Sequence, residues 1–407
     1  MHISMSSPDI TPADVAAVNQ VLQTPTLSIG PQIEAFEKAT AEYIDAAHAV
    51  GVNSGTSGLH LAVIAAGVGE NDLVITSPFS FVSSANAILY ERAIPVFVDV
   101  EPKTGNIDPS LVAECARDLA RGGSAAAKWL PPSIENLFRA KTRNQKSKIK
   151  NAQALLPVHA YGQPADMDPI LVTARQYDLT VIEDACEAIG AEYKGRKAGT
   201  LGDAAIFAFY PNKQMTTGEG GMLVTNRDDW ANLFRSLRNQ GRDVFDGWLN
   251  HTRLGYNYRL DEMSAALGLA QIKRIDELLA KRARVAEWYN ERLVNQECIE
   301  LPYLAPTTTR MSWFVYVVRV KPPAPRDEVV RQLATVGIPS RPYFTPIHLQ
   351  PFYRERFGYQ RGAFPVTEYL GEVALALPFS SVMTQAQVDF VCENLLRAVN
   401  APCAVRV

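Results

Sequence analysis

Three stretches of this sequence place reactive groups where apolar runs give way to turns. Phe207-Ala208-Phe209-Tyr210-Pro211-Asn212-Lys213 carries a lysine out of an apolar run, ahead of Thr216-Thr217-Gly218-Glu219-Gly220-Gly221. A lysine set against the backbone of the next strand is desolvated, which favours the neutral amine, the nucleophile needed for an imine. Taken alone, Lys213 reads as an ordinary exposed lysine; its company argues otherwise. Glu183-Asp184 closes the run Leu179-Thr180-Val181-Ile182, and a carboxylate in such a place is costly to bury without a cation. A protonated pyridine nitrogen is one such cation; metal ligation and helix capping are the alternatives. Asn53-Ser54-Gly55-Thr56-Ser57-Gly58 lies between an apolar strand and an apolar helix, where small residues, hydroxyls and a helix N-terminus suit a phosphate. A plain N-capping turn explains that stretch equally well.

The elements that must hold these groups follow from patterning. Apolar residues at helical spacing (Ile33, Phe36, Ala39, Tyr43) predict a helix. HAVGVNSGTSGLHLAVIAAGV then reads as strand, turn and helix, and DLVITSPFSFVSSANAILYERAIPVFVDV as strand, loop, helix and strand. LLPVHAYG, a helix around Ile170 to Tyr177, LTVIEDACEAIGA, AAIFAFY and GGMLVTN continue the alternation to residue 225. Alternating strands and helices predict a doubly wound α/β sheet, whose strand carboxyl ends are where ligands bind. Asp261 to Leu293 reads as one long amphipathic helix, with Leu267, Ala270, Ile275, Leu278 and Leu279 on a stripe, bridging to a smaller α+β region. The boundaries expected are an N-terminal segment over 1–28, a large domain over 29–260, and the bridging helix with a small domain over 261–407. Arg117 to Ala154, including KTRNQKSKIK, is longer than a crossover requires and reads as a basic surface insertion.

Composition narrows the function classes. A chain of 407 residues with 40 Lys plus Arg against 43 Asp plus Glu carries a net charge of −3, so no global basic field draws nucleic acid. The five cysteines are scattered and read as buried thiols in a reducing cytoplasm. No basic flank precedes an apolar run at the N-terminus, and LHLAVIAAGVG is too short to span a bilayer. The expectation is a cytoplasmic enzyme without membrane or nucleic-acid partners. GxGxxG after the first strand, GxxxxGK[ST] and HExxH are all absent, so nicotinamide, P-loop and zinc-protease chemistries lose support, and no metal is expected.

The series NSGTSGLH, SPFSFVSS, PVHAYGQPADM, EDACEAIGAEYKG, FAFYPNK, TTGEGGM and GYNYRLDEMSAA resembles, in order and over nearly the whole chain, the DegT/StrS-type nucleotide-sugar aminotransferases. These are fold-type I pyridoxal-phosphate enzymes. The resemblance implies a mostly parallel sheet of the seven-stranded type flanked by helices, with a smaller C-terminal α+β domain. It implies Lys213 as the Schiff-base lysine and Asp184 as the acid that keeps the pyridine nitrogen protonated. Thr56 and Ser57, with Gly55 beside them, fall at the cofactor phosphate, Phe81 on the ring face, and Glu187 near the phenolic oxygen. Asn257 matches an asparagine that reaches the neighbouring subunit's cofactor phosphate, which implies a homodimer with shared sites. His159, Arg259 and His348 lie in motif neighbourhoods that could face substrate, and each is also plausible as a structural hydrogen-bonding residue.

Two departures stand out. The family often has glutamine at position 187, so Glu187 implies a protonated carboxyl or an altered contact. It often has serine at 208, so Ala208 lacks a hydroxyl donor to the phosphate. The activity implied is transfer of an amino group, with L-glutamate becoming 2-oxoglutarate, to C3 or C4 of a nucleotide-linked keto sugar. Relatives that dehydrate sugars carry histidine in place of the lysine, which Lys213 argues against. A non-catalytic regulatory relative is the other reading, opposed by intact Lys213 and Asp184.

Overall fold

The computed structural model describes residues 2–134, 152–243 and 250–400. The first nine strands are β1 (His48–Val52), β2 (Leu73–Thr76), β3 (Ile94–Phe97), β4 (Ala152–Leu156), β5 (Thr180–Asp184), β6 (Glu192–Tyr193), β7 (Arg196–Lys197), β8 (Ala204–Ala208) and β9 (Gly221–Thr225). Seven of them form one sheet in the order β1-β9-β8-β5-β4-β2-β3. β9 runs against β1 and β8, and every other pairing is parallel. The carboxyl ends of β1, β2, β4, β5 and β8 therefore open along one edge.

The sheet is covered on both faces, which is why its strands read as continuous apolar runs. Successive side chains of a strand point to opposite faces. Val50, Val52, Ile182, Ile206 and Leu223 pack with Leu59, Ala62 and Val63 of the helix Gly55–Ala65. Ala49, Ala205, Phe207, Met222 and Val224 pack on the other side with Phe36 of the helix Pro31–Ile44 and Ala265 and Ile272 of the helix Glu262–Ile272.

The single helix expected over Asp261 to Leu293 is two helices, Glu262–Ile272 and Ile275–Leu293. The break falls at Arg274, whose guanidinium turns aside to Asp9 at 2.6 Å. The second helix bridges the two cores. Ile275, Leu278 and Leu279 lie in the large-domain core, while Val285, Ala286, Tyr289 and Leu293 lie in the small-domain core. The expected stripe shifts accordingly: Leu267 and Ala270 are only partly buried, and Ala265, Ala266 and Ile272 take their place.

The C-terminal region adds β10 (Ile299–Glu300), β11 (Thr308–Arg310), β12 (Tyr316–Val320), β13 (Arg341–Pro342) and β14 (Ala374–Leu377). Four of these form an antiparallel sheet, β10-β12-β14-β13, but β11 joins β6 and β7. That pairing ties the C-terminal region back to the large domain. The N-terminal segment is docked as well: Ile3 packs in the small-domain core, and the Met5 carbonyl accepts from the Phe379 N–H at 2.9 Å.

The opening of the expected surface insertion is not surface. Leu119, Ala126, Ala127 and Leu130 are buried, and Lys128 is paired with Glu114 at 2.7 Å and Asp118 at 2.8 Å. KTRNQKSKIK lies outside the described residues, as does Cys403. Cys115 and Cys392 are buried free thiols, whereas Cys186 and Cys298 are partly exposed. Among the described residues no helix is long and apolar enough to cross a membrane, and no cluster of metal-ligating side chains occurs.

One buried acid fixes the entry to the helix Pro31–Ile44. Glu262 accepts from the N–H groups of Gly30, Gln32 and Ile33 at 3.0, 2.8 and 3.1 Å. A carboxylate at a helix N-terminus satisfies unpaired donors and the helix dipole together. Glu262→Ala is expected to lower stability by about 3 kcal/mol, because charge-assisted hydrogen bonds are lost and buried donors are left bare. An earlier urea-unfolding midpoint is the readout; an unshifted midpoint refutes it.

Candidate active site

The strand ends enclose a cavity of about 420 Å³, within the range of small-ligand sites. β1 delivers Ser54, Gly55 and Thr56 to it, the loop after β2 delivers Ser80 and Phe81, the helix Ser83–Tyr90 that follows delivers Ser84, and β5 delivers Asp184 and Glu187. The segment after β8 supplies Tyr210, Asn212 and Lys213, and the small domain contributes Phe314 and Tyr343.

Asp184 is the floor. It is buried, its Oδ2 accepts from Ser84 Oγ at 2.6 Å, and its Oδ1 accepts from the Cys186 N–H at 3.2 Å. Ser84 Oγ is itself 2.8 Å from Ser80 Oγ. Among the described residues no cation lies within ion-pair distance of this carboxylate, so the site holds a buried acid without a counter-charge. A ligand bearing an N–H⁺ at that depth supplies what the protein does not.

Lys213 enters from the opposite wall, its amine 3.9 Å above the Phe314 ring and 3.7 Å from Glu187 Oε1. The second distance is too long for a hydrogen bond. Glu187 Oε2 accepts from the Tyr161 N–H at 2.9 Å.

At the third corner the helix Gly55–Ala65 begins. Ser54 caps it, Ser54 Oγ accepting from the Ser57 N–H at 3.1 Å, and Ser57 Oγ turns away to donate to Asn53 at 2.7 Å. The Ser57 N–H thus serves the cap and its hydroxyl turns to Asn53, while Ser54, Gly55 and Thr56 line the cavity. The Thr56 hydroxyl donates to Ser83 Oγ at 2.8 Å. Gly55 has no room for a side chain: a Cβ there stands 2.8 Å from Ala208 Cβ and 2.9 Å from Cys186 Sγ. The helix N-terminus thus approaches Ala208 closely and offers backbone donors to an anion.

These corners fit pyridoxal phosphate, the cofactor implied by resemblance: an amine, a buried acid for a ring N–H⁺, and a helix N-terminus for a phosphate. Phe81 lines the same cavity and is 63% exposed, so its ring is free to cover a ligand.

Other expected site residues lie elsewhere. Asn257 is exposed and outside the cavity lining; its carbonyl accepts from Asn53 Nδ2 at 3.5 Å. Arg259 donates to Asn239 Oδ1 at 3.0 Å, also outside the lining. The readings of His159 and His348 as substrate residues meet a structural alternative. His159 is fully buried, its Nε2–H donating to Glu183 at 2.9 Å and its Nδ1 accepting from the Ala165 N–H at 3.1 Å. His348 is equally buried against Glu368 at 3.0 Å, and burial lowers its pKa. Neither borders the cavity, so neither meets a substrate there.

Sequence reasoning missed Ser84, Phe314 and Arg282. Ser84 stands inside the motif SPFSFVSS, where its spacing from Ser80 was the available signal. Arg282 falls on the apolar stripe Ile275-Leu278-Leu279-Val285-Ala286-Tyr289, and a charge there was the signal.

Glu187 titrates in the cavity wall. Burial pushes its carboxyl up to about 7, against opposing influences from Lys213 and the Tyr161 N–H, with Asp184 adding to the rise. The native chain binds this proton more tightly than the unfolded chain. Its contribution to stability is therefore complete below the ordinary value of 4.5 and is lost as pH rises through 7. The loss is about 3 kcal/mol in all. In the cofactor-free protein, Glu187→Gln is expected to flatten the decline in melting temperature between roughly pH 5 and pH 8. A decline as steep as that of the wild type counts against this.

The sequence matches the DegT/DnrJ/EryC1/StrS aminotransferase family over residues 8–118 and 131–396. It is 39% identical, over 97% of both chains, to the GDP-perosamine synthase of Caulobacter vibrioides. It is 33% identical to the putative pyridoxal phosphate-dependent aminotransferase EpsN of Bacillus subtilis, over 97% of this chain and 96% of that one. Among solved structures, S. venezuelae DesV in complex with a ketimine intermediate aligns with a TM-score of 0.83 at 31% identity, covering 98% of this chain and 99% of that one. The match spans the cavity-bearing strand ends and the bridging helix alike, and the chain belongs to the DegT/DnrJ/EryC1/StrS aminotransferase family.

Proposed function

We propose that this chain is a pyridoxal-phosphate-dependent aminotransferase that moves an amino group from L-glutamate to a keto group, at C3 or C4, of a nucleotide-linked sugar. The observation that carries the reading is one cavity bounded by the Lys213 amine, the Asp184 carboxylate and the N-terminus of the helix Gly55–Ala65. Pyridoxal phosphate, when bound, supplies the electron sink for breaking the bond to the donor's α-hydrogen. Lys213 would hold the cofactor and, when its amine is free, would carry the proton taken from the donor's α-carbon. Asp184 holds the ring nitrogen protonated, with Ser84 and the Cys186 N–H fixing the carboxylate. Gly55 and Thr56 bind the phosphate, and Phe81 covers the ring.

A second groove, about 830 Å³, meets the catalytic cavity at Ser80, Phe81 and Tyr343. Tyr90, Phe352 and Arg356 line it. Aromatic faces stack on a base and a guanidinium pairs with phosphate, which supports a nucleotide-linked substrate. The relatives' names, GDP-perosamine synthase among them, point the same way. The working compartment in this reading is the cytoplasm.

The assembly in this reading is a homodimer. Leu254 is 85% exposed, three residues before the exposed Asn257. In this reading the segment that carries both residues faces the partner subunit. In the dimer, Asn257 reaches the phosphate at the partner's Gly55–Ala65 helix and makes up for the hydroxyl absent at Ala208.

Lys213→Ala is expected to remove the visible absorption of the bound cofactor and to abolish amino transfer to a panel of nucleotide keto sugars. A borohydride-trappable linkage at another lysine overturns the assignment. Mixing Lys213→Ala chains with Asn257→Asp chains is expected to restore activity, up to roughly a quarter of wild type. Each mixed dimer holds one intact composite site and one doubly impaired site. Heterodimers verified by mass spectrometry yet devoid of activity place Asn257 outside the partner's site.

A further inference from the structure

Arg282 stands at the crossing of the two domains, 1% exposed and the largest fully buried side chain among the described residues. No carboxylate lies within ion-pair distance of it there, and burial pushes its pKa down to about 10, so it remains a cation at neutral pH. Its charge is met by backbone oxygens. Nη2 donates to the carbonyls of Asn212 at 3.2 Å and Lys213 at 2.6 Å. Nη1 donates to those of Trp313 at 3.3 Å and Phe314 at 3.1 Å. The guanidinium lies 5.6 Å from the centre of the Phe379 ring, and Nε has no partner.

A buried guanidinium without a carboxylate is a costly way to fill a core, since the ion forfeits its hydration. A methionine would pack there without that cost. What only a planar fork of donors accomplishes is to hold two separate chain segments at a fixed spacing. Those segments are the one bearing Lys213 and the one bearing Phe314, whose ring lies 3.9 Å beneath the Lys213 amine. Trp313 adopts φ 48°, a left-handed conformation unusual for a bulky residue, so its segment needs outside support. Gln214 adds a second tie between the same two segments, donating to Ser312 Oγ at 2.7 Å.

We propose that Arg282 is a positioning residue for Lys213: by clamping the Lys213 and Phe314 carbonyls from the bridging helix, it sets the amine over the aromatic ring at the height from which it moves a proton. The inference rests on the role given to Lys213 above. It also accounts for a charged residue on the apolar stripe of the bridging helix. The clamp sits where that helix passes from one core to the other, between Leu279 and Val285.

The test uses Arg282→Met and Arg282→Lys. In the cofactor-free chain, Lys213 is acylated with a small anhydride and the modification is mapped by peptide mass spectrometry. Acylation of Lys213 is expected to rise at least fivefold in Arg282→Met, with other partly buried lysines unchanged. In the holoenzyme, kcat is expected to fall 10- to 100-fold with KM for L-glutamate and for the keto sugar within threefold of wild type. Arg282→Lys, which engages only one segment at a time, is expected to fall between. Wild-type reactivity of Lys213 and wild-type kcat in a folded Arg282→Met chain overturn the proposal. A uniform rise at all lysines, or failure of both variants to fold, overturns it in favour of a purely structural arginine. The acylation result stands whatever the substrate proves to be, so it separates failure of the clamp from failure of the assigned reaction.

Discussion

A carboxylate buried without a cation is the constraint from which the rest of the site follows. Asp184 ends a central strand of a sheet covered on both faces, where solvation is poor and an unpaired charge is expensive. The Ser84 hydroxyl and the Cys186 N–H share that cost, yet both are neutral donors. Among the described residues the carboxylate thus meets only neutral donors. Lys213 and the helix N-terminus at Gly55 border the same cavity. The sheet topology makes this possible. Because β1, β2, β4, β5 and β8 point the same way, residues far apart in sequence emerge at one edge.

Much of this was legible because period and position in a strand are written locally. The apolar runs from His48, Leu73, Ile94, Thr180, Ala204 and Gly221 each became a strand, and the groups closing three of them line one cavity. What the pattern hid was tertiary. An unbroken helical stripe from Asp261 to Leu293 gave no sign of the break at Arg274, which pairs with Asp9 from the other end of the chain. Short β11 carries too few residues to show a period, and its partner β6 is more than a hundred residues away. Ser57 fits both capping and anion binding, because the two draw on the same residue types. Only the direction of its hydroxyl, toward Asn53, separates the two.

The cores explain why the bridging helix is central to both domains. Its first turns complete the large-domain core with Ile275, Leu278 and Leu279, and its last turns complete the small-domain core with Val285, Ala286 and Tyr289. Neither half can shift without opening a cavity in the core it serves, which costs several kcal/mol for a residue of leucine size. The Ile3 packing and the pairing of β11 with β6 add two further ties between chain ends and domains. Phe314 and Tyr343 of the C-terminal region therefore meet the cavity as part of a fixed frame.

Glu183 and Asp184 show how far a strand's period of two divides adjacent residues of the same chemistry. Asp184 points to the cavity. Glu183, one residue earlier, points to the opposite side, where it accepts from the N–H groups of Gly199, Leu201 and Gly202 at 2.9, 2.7 and 2.7 Å and from His159. Burial alone would raise its pKa, but the hydrogen bonds from His159, Gly199 and Gly202 outweigh that and hold it below the usual range. Glu183 is thus a fully satisfied anion that pins the loop leading into β8, and β8 in turn carries Lys213 toward the cavity. His159 completes the same knot, since both its ring nitrogens are engaged and none is left for a substrate. The same economy of burial that leaves Asp184 short of positive charge thus requires Glu183 to be surrounded by donors. One acid is kept reactive toward a ligand because its neighbour spends its own charge on holding the scaffold still.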